Sequence, residues 1–198
     1  MGNILRRRPL MVVPSSGPTP TPEWDYEWDY TKGLLNSDGW TRTTSSGSPS
    51  ATITSDYLDL YGNSTNYYNF TYPESCTIGV MEAEIYSANN AQIQIRFGNG
   101  EYGVGVRLQT SSNYKGIYLG SALTTKIVSA YADTKYKIKM VLKETTADIY
   151  VNDVLRLEDE DVTSLTTCAD ILVSGRASST TNRHTRLYSL KMKFNRIS

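Results

Sequence analysis

Along this chain apolar positions recur at every second residue and almost nowhere at every third or fourth. From Ala51 onward, short runs rich in Val, Ile, Tyr and Thr alternate with clusters of Gly, Asn, Asp and Ser, and no stretch of about 11 residues carries the stripe of an amphipathic helix. The clearest run is Tyr136 to Leu142. There Tyr136, Ile138, Met140 and Leu142 alternate with lysines that begin at Lys135, so one face packs and the other stays in water. Ala147, Ile149 and Val151 alternate with Asp148 and Tyr150. Asn152-Asp153, two residues that tolerate positive φ, then precede Leu155 and Leu157, which predicts a hairpin. The last run sets Tyr188, Leu190, Met192 and Phe194 inward against Ser189, Lys191 and Lys193. Between these lie Ile78 to Tyr86, Gln92 to Phe97, Tyr102 to Leu108 and Tyr114 to Leu119. Some ten antiparallel strands at spacings of roughly 8 to 12 residues predict a sandwich or barrel, and the clean division into apolar and polar faces favours two sheets packed face to face.

Length and composition add a tail to that picture. The 198 residues suit one domain over 23–198 behind a distinct segment 1–22, which has three consecutive arginines, no acid, most of the seven prolines and no periodicity. Its apolar stretch Pro9 to Val13 is too short for the core of a secretory signal, and Gly2 is followed by Arg6 where a myristoylation signal needs Ser or Thr. The segment is expected to be a solvated leader or a short docking peg anchored through Arg6, Arg7, Arg8, Leu10 and Met11, with Pro14 to Pro22 as a semi-extended spacer. Lys+Arg and Asp+Glu balance at 20 each, so a basic field for nucleic acid is disfavoured. The +3 leader leaves a body of −3. No apolar run approaches the roughly 20 residues of a membrane span, and one histidine, His184, rules out a histidine-cluster metal site. Without export, Cys76 and Cys168 are expected as free thiols.

The order of features resembles a known family. A Trp-containing opening, Gly33-Leu34-Leu35, Trp40 and the Thr52 to Leu60 segment resemble the start of concanavalin A-like lectin/glucanase domains, laminin-G-like modules among them. GVMEAEIYSANNAQIQIRFG (Gly79 to Gly98), YGVGVRL (Tyr102 to Leu108) and KYKIKMVLKETTADIYVNDVLRLED (Lys135 to Asp159) are similar to that family's middle strands and late hairpin. The resemblance covers Trp24 to Asn195 and implies an all-β fold, a jelly-roll sandwich of two curved antiparallel sheets. The leader's Arg-Arg-Arg-x-Leu-Met pattern resembles the N-termini of laminin-G-like proteins encoded by phages, which implies a place in a virion.

Glycosidases of this fold class carry E-x-D-x-x-E on one strand. Here Glu82-Ala83-Glu84 places two carboxylates on one strand face, but the family's Asp position holds Glu84 and the third acid's place holds Ser87, so the catalytic pattern is broken and no enzyme is expected. His184 has no argued nucleophile partner. Glu158-Asp159-Glu160-Asp161 has the ligand chemistry of a calcium site, and laminin-G-like relatives sometimes hold calcium at a sandwich rim. Four adjacent acids do not converge on one ion without an Asx-like turn, so a solvated loop and no cofactor are expected. The aromatic inventory is more telling: 15 Tyr against 3 Phe. Tyr and Trp stack on the C–H faces of sugar rings, while amides and guanidiniums fork onto hydroxyls. The resulting glycan-binding set is Trp28, Tyr67, Tyr68, Gln94, Arg96, Tyr102, Arg107 and Tyr114, with the glycines at 103 and 105 leaving room for a ligand. The expectation is therefore a non-enzymatic carbohydrate-binding module on a virion, with a purely structural virion protein and a divergent glycoside hydrolase as alternatives. Oligomeric state is open.

Overall fold

The structure, a computed structural model, describes residues 23–44, 49–65, 67–72, 78–97, 104–111, 114–119, 125–162, 171–177 and 180–194. The leader residues Arg6, Arg7, Arg8, Leu10 and Met11, together with Tyr102, Cys76 and Cys168, lie outside the described residues.

Fifteen strands form two antiparallel sheets. The first has the order β13 (Val154–Asp161), β12 (Thr146–Val151), β11 (Thr134–Leu142), β6 (Ile78–Ser87), β15 (Arg183–Phe194), β4 (Leu58–Gly62), β3 (Ser50–Ile53). Strand β1 (Tyr26–Asp29) pairs with the Ser189 to Met192 half of β15. The second sheet has the order β10 (Thr125–Val128), β9 (Tyr114–Leu119), β8 (Val104–Ser111), β7 (Ala91–Phe97), β14 (Ile171–Ala177), β5 (Tyr68–Tyr72), β2 (Thr41–Thr44). This is the two-sheet sandwich that the alternating pattern predicts, in the jelly-roll form that the resemblance implies. Met81, Ile85, Ile138, Met140, Ile149 and Leu187 from the first sheet meet Phe70, Ile93, Ile95, Leu108, Ile117 and Val173 from the second, all fully buried. Gly175 marks how close the sheets come, since a Cβ there would stand 2.1 Å from Thr185 Oγ1 and 2.9 Å from Leu60 Cβ.

The predicted hairpin forms between β12 and β13, with Asn152 and Asp153 both at positive φ, 51° and 61°. Two sequence expectations are corrected by packing, those for Tyr188 and for the run Glu158 to Asp161. Tyr188 does not face the core, because the β15–β6 register steps from Leu187↔Ile85 to Ser189↔Glu84. The extra residue lets Leu187 and Leu190 both point inward while Tyr188 turns out. Leu155 is exposed, since β13 is an edge strand whose register on β12 is irregular. The four acids from Glu158 to Asp161 belong to β13 rather than to a loop, with Asp159 at φ 51° and held by Lys143, which also bonds Asp148 at 2.9 Å. No group of three or more His, Cys, Asp or Glu side chains is gathered as a metal site among the described residues.

A hydrogen-bonded chain borders the core. Trp40 Nε1 donates to Tyr26 Oη at 2.8 Å, and Tyr26 in turn donates to Asp38 Oδ2 at 2.8 Å. Burial, then the Asp38 carboxylate, pushes the Tyr26 phenol far above its ordinary 10.0. The native state keeps this proton while the unfolded chain releases it, so the contribution is complete below pH 10 and is lost as pH rises past the unfolded value. Urea midpoints at about pH 8 and about pH 10.5 are expected to fall, and Tyr26→Phe is expected to lessen the fall.

Candidate functional site

The balanced net charge of the chain conceals a division between the sheets. Strands of the first sheet carry ten acids. Strands of the second carry none, and hold six cations: Arg42, Arg96, Arg107, Lys115, Lys126 and Arg176. Alternation sends the apolar residues of β7, β8, β14 and β5 into the core, and the polar residues between them onto the sheet's other face.

Register then assembles that face in rows. Tyr118, Arg107, Gln94, Ser174, Asn69 and Thr43 are successive cross-strand partners over β9, β8, β7, β14, β5 and β2. In the next row Gly116, Gln109, Gln92 and Arg176 are partners, and in a third Gly105, Arg96 and Leu172. Although these side chains point away from the core, Gln92, Gln94, Arg107, Gln109 and Ser174 are all only 6–8% exposed. Arg107 Nη2 donates to Gln94 Oε1 at 3.4 Å, and Gln109 Nε2 donates to Ser111 Oγ at 2.9 Å. The Gln92 amide is oriented by its neighbours, its oxygen accepting from the Arg176 guanidinium and its nitrogen donating to Gln109 Oε1 at 3.1 Å. Among the described residues, the buried atoms on this face that lack a hydrogen-bond partner include Gln94 Nε2, Arg107 Nε and Asn69 Oδ1. Burial, then the nearby Arg176 and Arg96, pushes the Arg107 guanidinium down to about 10. It stays charged at neutral pH, in a site that opposes the charge.

The sequence-derived set divides on this scaffold. Gln94, Arg96 and Arg107 come together on the face. Tyr67 stands at its β5 side, with the Arg176 guanidinium 5.4 Å from its ring centroid. Trp28 and Tyr68 are corrected: they are 1% and 8% exposed and belong to the core, since β1 and β5 turn those positions inward, so neither is a sugar platform. Tyr114 lies opposite Ser111 in the β8–β9 register, with its side chain outside the described residues. Gly105 is explained by strand contact rather than ligand room, because a Cβ there would meet Ile95 O at 2.2 Å. Sequence reading missed Arg176, Gln109, Ser174 and Asn69. Their signal was the polar half of each alternation, but it takes the β7–β14 and β14–β5 pairings to place them beside Gln94.

The outer face of the first sheet differs in character. Glu84 pairs with Lys135 at 2.8 Å and Glu82 with Lys139 at 3.5 Å, and both carboxylates line a groove of about 220 Å³ with Lys137, Ser189 and Lys191. A neighbouring cleft of about 470 Å³ is lined by Tyr30, Asp56, Tyr57, Glu84, Lys135 and Tyr188. Arg186 stacks between Tyr57 and Tyr86, at 4.5 and 4.4 Å from their centroids. His184 Nδ1 lies 2.7 Å from Asp59 Oδ2.

No protein-family model matches the chain, and no curated protein matches it in sequence. Solved structures do match in fold. A sialidase is 12% identical over 85% of this chain, with a TM-score of 0.64, and the chain spans 18% of that protein's length. The β-glucanase of Bacillus licheniformis is 10% identical over 85% of this chain and 97% of its own, with a TM-score of 0.63. The potassium-bound Emp46p carbohydrate recognition domain is 10% identical over 89% of this chain and 100% of its own, with a TM-score of 0.57. The fold is therefore the concanavalin A-like jelly roll, shared with a β-glucanase and a carbohydrate recognition domain. The expectation that the chain is not an enzyme is corrected by the same neighbours, since a sialidase and a β-glucanase share its fold.

Proposed function

We propose that this protein binds glycan across the polar face of the second sheet, along the row Arg107, Gln94, Ser174 and Asn69. The observation that carries the reading is a buried ladder of amides and guanidiniums whose donors and acceptors are incompletely used within the described chain. Buried polar groups are ordinarily satisfied, and a sugar hydroxyl, both donor and acceptor, satisfies either kind. Display on a virion, with residues 1–22 as the anchor, is the finer part of this proposal. Its support is the leader's composition, and deletion of 1–22 is expected to abolish particle incorporation while leaving the Tm of the remaining chain unchanged. Normal incorporation of the truncated chain would refute the anchor.

A glycan array probed with the full chain tests the binding face. Gln94→Ala is expected to weaken every hit by about tenfold, the worth of a buried hydrogen bond. Lys139→Ala, on the first sheet, should leave the hits unchanged. An array without hits would overturn the reading. A second reading has its own observation, the shared groove of Glu82 and Glu84. Release of reducing ends from a β-glucan, lost in both Glu82→Gln and Glu84→Gln, would establish a hydrolase there. No release from any polysaccharide would end it.

A further inference from the structure

The second sheet's face holds a cation in surroundings that normally exclude one. Arg107 is more than nine-tenths buried, its Nη2 donates to the neutral oxygen of Gln94, and its Nε has no partner. The register sets Arg107 on β8 beside Gln94 on β7, with Arg96 two residues further along β7 and Arg176 on β14, cross-strand from Gln92. Among the described residues no strand of this sheet supplies an acid, while the ten acids that lie in strands all stand in the other sheet. The half-buried Arg96 and Arg176 oppose the charge of the buried Arg107, and burying a charge is costly. A neutral sugar offers such a site dipoles. An anionic sugar offers it the missing charge, in the planar two-oxygen geometry that a guanidinium fork matches.

We infer that the glycan bound by this face is anionic, and that its carboxylate or sulfate group is received by Arg107 with Arg96 and Arg176 around it. The inference rests on the glycan-binding reading and narrows it to one chemical class. Gln92 and Gln94 then act as spacers that bond the arginines on one side and sugar hydroxyls on the other. Arg176, held by Gln92 and stacked over Tyr67, closes the β14 side of the site.

The test compares matched polysaccharides on the full chain: polygalacturonate against its fully methyl-esterified form, and κ-carrageenan against agarose. The acidic member of at least one pair is expected to bind about tenfold to a hundredfold more tightly, with an advantage that shrinks in high salt. The pair that responds tells carboxylate from sulfate. Equal affinity within both pairs would overturn the inference and leave the glycan face standing. No binding to any of the four would overturn it too, and a blank glycan array beside that result would show that the glycan reading had fallen with it. Arg107→Met is expected to abolish the acidic preference, whereas Lys115→Gln, exposed and outside the cluster, should keep it. Because the free protein holds Arg107 against its environment, Arg107→Met should keep or raise the ligand-free Tm. A fall of more than about 5 °C would mean that the chain itself supplies the counter-charge, and would overturn the inference.

Discussion

Trp28→Ala is expected to destabilise the fold by about 3–5 kcal/mol, enough to lower Tm by some 6–20 °C in a chain of this size. The indole is 1% exposed and lies in the core cluster, so its removal opens a cavity that a two-sheet core closes poorly. Its Nε1 also donates to Gly33 O at 3.1 Å, which ties β1 to the turn that follows. Two losses therefore coincide: packing, and a half-buried acceptor left without its donor. Urea unfolding followed by far-UV circular dichroism measures the cost, with Trp28→Phe expected to lose less because most of the volume stays. A variant of native stability that had lost only sugar binding would return Trp28 to the surface and contradict its burial.

Gly175→Val is expected to destabilise by about 3 kcal/mol, at the upper end of the usual range for overpacking. The first added carbon would meet Thr185 Oγ1 at 2.1 Å and Leu60 at 2.8–2.9 Å, both on the facing sheet and both buried, so relief requires the sheets to part. Gly175 sits between Ser174 and Arg176, which point the other way, onto the proposed binding face. Parting the sheets would thus also displace the face, and glycan affinity should fall together with Tm. A double-mutant cycle isolates the contact: Thr185→Ala removes the oxygen, so in its background Gly175→Ala should cost measurably less than in the wild type. Additive costs would show that the two positions do not meet.

The two predictions touch positions that sequence reading treated differently. Trp28 was legible as important but was placed on the surface, because a tryptophan in a short strand carries no local sign of which side is covered. Gly175 carried no signal at all, since the reason for it lies on β15 and β4, distant in the chain. The alternation of Gln92, Gln94 and Arg96 with Ile93 and Ile95 was fully legible, and so was the outward face that it defines. Arg176 and Asn69 were not, because their place beside Gln94 depends on pairings between segments far apart in sequence.

By itself the sequence determined the all-β sandwich, the hairpin at Asn152-Asp153 and most of the core, since alternation and turn chemistry are local properties of a pleated strand. Tertiary structure decided the rest. The bulge at Leu187–Ser189 turned Tyr188 outward, inter-sheet packing enclosed Trp28, and strand order sorted a chain of zero net charge into one sheet with ten acids and another with none. The physical reason is common to all three. Period 2 tells which residues share a face, whereas which strands are neighbours, and what covers them, is settled by long-range pairing and burial.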